Sequence, residues 1–221
     1  MTQDIPTFGK IPAVFQRAVT GKKNLMPGIW IDETVQALAN YTWVWTEKIN
    51  GTNVRVHWDG YGFSFGARKD GSEIPPFLLD RLKEIFNDAA EQIFEQMFGD
   101  KPVTVFGEGY GHKIGGQGDG YLPDRVDLIL FDVLISGNYQ TRNTVSQVAK
   151  ALGLGAVPIV GHGTLHDAIA FVQTRPKSLI ADTPMEGLVC RPLMDLRYRN
   201  GDRIIVKCKW KDLRPDRLGV G

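Results

Sequence analysis

Lys48 stands between Glu47 and an Asn50-Gly51 pair in the stretch WTEKINGTNVRVHWDG, residues 45–60, with β-type residues on both sides. A lysine amine can attack phosphorus or carbon, but only once it has lost its proton. That requires burial or neighbouring cations. Lys207 and Lys209 in VKCKW are candidates for those cations. Two apart on a predicted strand, they share one face, while Cys208 and Trp210 point the other way. Two lysines on one face suit a polyanion such as a triphosphate, and they disfavour a third ammonium nearby. Two acids complete the set: Glu108, bracketed by glycines in VFGEGYG, and Glu186, followed by Gly187 in EGLVCRP. Glutamates beside glycines at strand ends are open to a ligand or a hydrated Mg²⁺. Each feature also has a plain reading: a strand-end lysine, a lysine-decorated sheet edge, a turn acid. Their order along the chain is what gives them weight together.

These groups need strands to hold them. YTWVWTEK, TNVRVHW and GFSFGA are short aromatic and β-branched runs punctuated by NG, DG and YG, which predicts a β-meander. PPFLLDRLKEIFNDAAEQIFEQMF has apolar residues at helical spacing, with Pro76 suited to a first turn and Gly99 to a stop, which predicts one helix. KPVTVFGEGYG reads as a strand entering a glycine-rich loop, and RVDLILFDVLI as a buried strand. Helices are expected near Asn143–Leu152 and after Thr164, with VPIVGHG as a strand between them. EGLVCRP and RIIVKCKW close the chain as strands. The first 40 residues read as irregular, with a short helix near Asp32–Asn40. The class is α+β, with mostly antiparallel sheets and flanking helices.

Composition bounds the function. The chain has 221 residues, 43% hydrophobic and 23% charged, with net charge +1, so no global basic signal for nucleic acid exists. Residues 197–217 nonetheless hold eight Lys/Arg and three Asp, a local +5 that can serve a phosphate-bearing ligand. Two cysteines, Cys190 and Cys208, give neither metal-type spacing nor a disulfide framework, so a reducing cytoplasmic setting is expected. They are expected to be buried free thiols that face each other on neighbouring strands. No signal peptide is expected, and no run approaches the roughly 20 apolar residues of a membrane span. The four histidines show no ligand spacing and are expected on surfaces or loops. Trp43 and Trp45 share a strand face and could line a groove.

EKINGTN resembles the Lys-x-(Asp/His/Asn)-Gly motif of covalent nucleotidyltransferases, the family of ATP-dependent ligases and RNA capping enzymes. It is most similar to RNA ligases of the RNA ligase 2-like class, whose first motif reads Glu-Lys-x-His-Gly-Thr-Asn. GARKD, VFGEGYG, LILFDV, EGLVCRP and VKCKW resemble the later motifs in order, over about Trp45 to Trp210. The resemblance implies the nucleotidyltransferase (adenylyltransferase) fold. It implies that Lys48 attacks the α-phosphate of ATP to form lysyl-AMP. It further implies that Phe131 stacks on adenine, Glu108 and Arg68 hold the ribose, and Asn53 touches the nucleotide or reacting phosphate. Glu186 helps hold Mg²⁺ or Mn²⁺, Lys207 and Lys209 neutralise phosphates, and Glu47 and Ile49 join the ATP-binding set. AMP would pass to a 5′-phosphate end, and a 3′-hydroxyl would displace it. The implied partner is nucleic acid, RNA before DNA, in a repair role of phage-like or bacterial character.

Two departures from the family pattern stand out. Asn50 replaces the usual Asp or His and cannot ionise. Only 12 residues follow Lys209, so the further C-terminal domain that many members carry is not expected. Residues 1–40 are therefore expected to pack as an extension on a catalytic domain of residues 41–221, and a partner protein has room to supply the missing part. Two other readings stay open: a GTP-using capping-type nucleotidyltransferase, and a non-catalytic nucleic-acid-binding module on the same fold.

Overall fold

The aromatic and β-branched runs after Tyr41 form strands, as their alternation predicts, but they do not form one meander. The computed structural model describes residues 5–20, 24–68, 71–115 and 118–214. In chain order the elements are β1 (Phe15–Arg17), β2 (Leu25–Trp30), α1 (Glu33–Leu38), β3 (Trp43–Glu47), β4 (Thr52–Trp58), β5 (Phe63–Ala67), α2 (Pro76–Ile85), α3 (Asp88–Phe98), β6 (Val103–Gly111), α4 (Gly118–Tyr121), β7 (Val126–Ile135), β8 (Asn138–Tyr139), α5 (Arg142–Ala151), β9 (Gly155–Ala156), β10 (Ile159–Gly163), α6 (Leu165–Gln173), β11 (Gly187–Pro192), β12 (Val206–Lys209) and α7 (Trp210–Leu213). They fall into two units, one of Lys10–Ile49 with Pro158–Gly221, the other of the residues up to Gly9 with Asn50–Val157. The chain passes from one to the other at Ile49–Asn50. The Asn-Gly pair is therefore not a hairpin turn, and β3 and β4 lie in different sheets.

In the unit that carries Lys48, an antiparallel sheet runs β10-β3-β11-β12. Strict alternation in β3 buries Trp43, Trp45 and Glu47 and leaves Val44 and Thr46 partly open. Trp43 is 0% and Trp45 7% exposed, so both are core residues and do not line a groove. They pack with Leu165, Ala168 and Val172, the inward stripe of α6. Thr164 and Asp167 close a capping box at the start of that helix. Cys190 and Cys208 are fully buried free thiols on adjacent strands of the same core. Their side chains are within hydrogen-bonding reach, and burial pushes the Cys190 thiol well above its usual range.

Residues 10–40 contribute Val14, Phe15, Leu25 and Val35 to this core. The short helix expected near Asp32–Asn40 is α1, and Asp32 caps it by accepting from the Val35 N–H. The segment around Ala13 runs alongside β12: the Val14 N–H donates to the Lys207 carbonyl at 3.1 Å, and the Lys207 N–H to that of Pro12 at 2.9 Å. An edge that would otherwise invite pairing is covered. The antiparallel pair β1–β2 was not legible in the sequence. β1 has only three residues, and β2 contains Pro27 and Gly28, which weaken any strand signal.

The other unit has a sheet ordered β5-β4-β6-β7-β8, antiparallel throughout, with β9 added parallel to β7. Val54, Val56, Val103, Val105, Leu128 and Leu130 form its apolar face, covered by Leu78 and Leu82 of α2, Phe94 of α3 and Val145 and Val148 of α5. The single helix expected over residues 75–98 is in fact two. Asn87 breaks it by accepting hydrogen bonds from Ala89 N–H at 2.9 Å and Ala90 N–H at 3.2 Å. Both helices contribute to the same core, so the apolar period runs across the break and hides it. His57 is a second correction. It is 6% exposed, on β4, with Nδ1 2.8 Å from Thr104 Oγ1 on the neighbouring strand.

No helix among the described residues is long and apolar enough to cross a membrane. The cap at Asn87 gives a direct stability test. Asn87→Ala leaves two α3 donors without their side-chain acceptor and is expected to cost about 1 kcal/mol in urea denaturation. A variant as stable as the parent would mean that the break is set by packing instead.

Candidate active site

The lysine cluster is assembled by strand register. Leu188 of β11 pairs with Glu47 of β3 on one side and Cys208 of β12 on the other. One residue along, Gly187 pairs with Lys209, and the Lys48 N–H donates to the Gly187 carbonyl at 2.9 Å. Lys48 and Lys209 thus flank Gly187 in adjacent strands. Gly187 has φ 155°, and a Cβ there would lie 2.0 Å from the Cys208 carbonyl oxygen and 2.8 Å from Lys209 Cα. No side chain fits without parting β11 from β12, so glycine is required for this approach.

Glu186, just before Gly187, closes the cluster. Lys48 Nζ lies 2.7 Å from Glu186 Oε2, and Lys209 Nζ pairs with the other carboxylate oxygen, Oε1. The three side chains are 23%, 16% and 11% exposed for Lys48, Lys209 and Glu186. At that depth the pairing is screened less by salt than at the surface. Lys48 Nζ also approaches the Ile49 carbonyl at 3.4 Å. Lys207 shares the half-open face of β12 with Lys209, and Cys208 points the other way, as the spacing predicts. Two ammoniums on one carboxylate leave a net positive charge in the cluster, which suits a polyphosphate.

Glu47 and Ile49 are placed differently. Strand alternation turns the Glu47 side chain into the core, where it is 1% exposed. Its Oε2 accepts the Leu179 N–H at 2.8 Å, while Oε1 is buried with no hydrogen-bond partner among the described residues. Ile49 is 3% exposed. The side chains of these two residues do not join Lys48.

The other unit brings together Asn53 and Glu108, directly paired in register between β4 and β6. Alternation puts both on the sheet face opposite the apolar core. The Asn53 Oδ1 atom is buried and has no hydrogen-bond partner among the described residues. Gly51 lies against β6, where a Cβ would sit 2.2 Å from the Gly109 carbonyl oxygen. This close packing, rather than turn geometry, is why glycine follows Asn50. The Asn50 N–H reaches the Tyr121 hydroxyl at 3.4 Å. Phe131 is the extra residue of a bulge in β7: Phe106 pairs with Asp132, and Gly107 with Leu130. A bulge re-aims a side chain. Phe131 meets Phe8, which also meets Phe106, so its ring lies on the same face as Glu108. Arg68 is exposed, one residue past β5. Lys69 and Asp70 of the GARKD motif lie outside the described residues. Among the described residues, no group of three or more His, Cys, Asp or Glu could hold a metal ion.

Against this geometry the comparisons with known proteins are direct. The family model for RNA ligase matches residues 41–209, and the chain belongs to that family. No curated protein sequence matches it. Among solved structures, a Glu-to-Ala mutant of Naegleria gruberi RNA ligase with AMP and Mn is 16% identical, with a TM-score of 0.64, covering 93% of this chain and 56% of that one. An Arg-to-Ala mutant of the same ligase with ATP and Mn gives 17% identity and a TM-score of 0.63, covering 93% and 56%. The same ligase with PPi gives 17% and 0.58, covering 95% and 60%. The shared fold is that of an RNA ligase nucleotidyltransferase domain, α+β with mostly antiparallel sheets. The chain spans under two thirds of the length of these structures.

Two positions escaped the sequence reading. Arg55 is 2% exposed between Val54 and Val56, and nothing in a VRV pattern distinguishes a buried arginine from a solvent-facing one. Phe8 lies in a segment that carries no periodic pattern.

Glu47 yields a pH prediction. Burial raises its carboxyl above the usual 4.5, and hydrogen bonds from Ser178 and Leu179 pull it partly back. A carboxyl whose folded pKa is raised contributes stability below its unfolded value, and that contribution is lost as pH rises through the folded value. Glu47→Gln keeps an acceptor for Leu179 but cannot ionise. Relative to the parent, the variant is expected to gain stability in urea melts as pH rises above 4.5. A relative loss over that range would show that the charged form is the favoured one.

Proposed function

We propose that this chain is an ATP-dependent RNA ligase of the RNA ligase 2-like class, working through lysyl-AMP on Lys48. The observation that carries the reading is the Lys48–Glu186–Lys209 cluster: a candidate nucleophile, an acid and a phosphate-neutralising cation in one register of strands, in a chain of the RNA ligase family. Catalysis of this kind is largely positioning and charge neutralisation.

In the proposed reaction the unprotonated Lys48 Nζ attacks the α-phosphorus of ATP. The N–P bond forms, the bond to the bridging oxygen breaks, and pyrophosphate leaves. Lys48 must first release Glu186 and its proton. Lys209 and Lys207 take up charge on the phosphates. Phe131 offers a ring to the adenine, Glu108 and Arg68 offer groups to the ribose, and Asn53 offers its unpartnered Oδ1 to the nucleotide. AMP then passes from Lys48 to the 5′-phosphate of an RNA end. A 3′-hydroxyl attacks that phosphate, sealing the strand and releasing AMP.

A divalent ion would be held by Glu186, the acid of the Lys48–Glu186–Lys209 cluster. Mg²⁺ and Mn²⁺ commonly bind through one or two carboxylates together with substrate phosphates, and such an ion would screen the phosphate charge. On this reading residues 41–221 act as the catalytic domain, with residues 1–40 packed on it. The buried, unbridged thiols Cys190 and Cys208 favour a reducing, cytoplasmic setting, in keeping with RNA repair.

The test is incubation with ATP labelled on its α-phosphate, with Mg²⁺ or Mn²⁺, followed by a denaturing gel. Label is expected on the 24.6 kDa band and absent from Lys48→Ala, which should melt as a folded protein. Label retained by Lys48→Ala would remove the nucleophile assignment. Labelling by GTP but not ATP would favour a capping-type activity.

A further inference from the structure

One aromatic side chain outside the motif set touches the ring to which the proposed function assigns the adenine. Phe8 is 8% exposed. Its ring centroid lies 5.0 Å from that of Phe131, nearly edge-on at 76°. It also meets Phe106 at 5.2 Å and Tyr139 at 6.1 Å. Edge-to-face pairs of this kind fix the relative tilt of two rings. Phe131 needs such a constraint. It is the unpaired residue of a bulge, so the regular ladder does not dictate its direction.

The segment that carries Phe8 is itself fastened to the sheet. Arg55, 2% exposed on β4, donates from one guanidinium nitrogen to the Ile5 carbonyl at 2.6 Å. Its Nε donates to the Ala67 carbonyl, also at 2.6 Å. Ala67 ends β5 and immediately precedes Arg68. Gly66 stands opposite Arg55 in register, and a Cβ there would come within 3.1 Å of the guanidinium. The planar fork of arginine thus ties two backbone points, one leading to Phe8 and one to Arg68. A lysine could not hold both in this way.

We propose that Phe8, fastened by Arg55, is a positioning residue that sets the Phe131 ring for adenine. The inference rests on the reading of Phe131 given above. Phe8 makes no contact with the nucleotide in this scheme; it acts through Phe131.

The test compares Phe8→Leu, which keeps apolar bulk without a ring edge, with Phe8→Tyr, which keeps the ring. Both are made in the Lys48→Ala chain, where no covalent product can form, and ATP is titrated in by calorimetry. Phe8→Leu is expected to weaken ATP binding about 3- to 10-fold, the range that an aromatic pair supports. Phe8→Tyr is expected to bind nearly as the parent does. In the chain with Lys48 intact, the same Phe8→Leu change should raise the half-saturating ATP for self-labelling and leave the limiting rate nearly unchanged. Melting temperatures near the parent's would separate this from a loss of fold. Unchanged ATP binding in Phe8→Leu would overturn the inference. Tighter binding would overturn it too, by showing that Phe8 competes for the adenine space. In both cases, labelling of the otherwise unaltered chain would leave the ligase reading standing. Absent ATP binding by the folded parent would overturn both.

Discussion

The carboxylate of Glu186 between the ammoniums of Lys48 and Lys209 is the interaction on which the candidate site depends. It exists because three strands meet at Gly187 with no side chain to hold them apart. A Cβ there would collide with the Cys208 carbonyl, so the spacing of β11 and β12, and hence of Lys209 and Glu186, is set by that one absence. The rest of the unit serves that register. Trp43 and Trp45 anchor β3 from below, α6 closes the core, and the Pro12–Val14 segment covers the edge of β12. The last of these explains what residues 10–40 contribute: they complete the layer on which the lysines stand.

Legibility in the sequence followed the kind of physics involved. Elements specified by local pattern were readable. The helix cap at Thr164 depends on side chains within three residues of the backbone they satisfy. The strands β6, β7, β11 and β12 were visible for the same reason, as was the shared face of Lys207 and Lys209. What failed was decided by distant packing. The Asn50-Gly51 pair looks like a hairpin turn because such turns favour those residues. Gly51 is in fact needed for contact with Gly109, 58 positions away by number (109 − 51). The break at Asn87 was hidden because two helices that face one core keep a common apolar rhythm. A cap inside a periodic run shows only as an Asn-Asp pair that the rhythm overrides.

The candidate site was legible in its residue types and less so in its geometry. Lys48, Glu186 and Lys209 come together as their order implied. Asn53 and Glu108 prove to be register partners, which no one-dimensional pattern displays. The bulge at Phe131 is invisible in LILFDV, which reads as continuous strand, yet it leaves Phe131 out of the cross-strand register. Glu47 shows the converse. It adjoins Lys48 in sequence, but strand alternation sends its side chain into the core to hold the Leu179 backbone. Adjacency along a strand separates side chains, and pairing across strands unites them.

The same clamp that defines the site also constrains what can activate it. On the proposed reading attack needs a free amine, so Lys48 must leave the Glu186 carboxylate, 2.7 Å away, before it can act. On the proposed reading, a bare polyanion could draw the lysines away but would leave the Glu186 carboxylate facing phosphate oxygens. A bare cation could neutralise Glu186 but would leave Lys48 and Lys209 as two uncompensated ammoniums, both less than a quarter exposed. Only a ligand that brings both signs of charge satisfies every partner of the broken clamp. A nucleoside triphosphate complexed with a divalent ion has that composition: phosphates for the lysines and a cation for the glutamate. The pairing seen here therefore does more than steady three side chains. On the proposed reading it is the arrangement that a ligand of matching charge must replace before Lys48 can act.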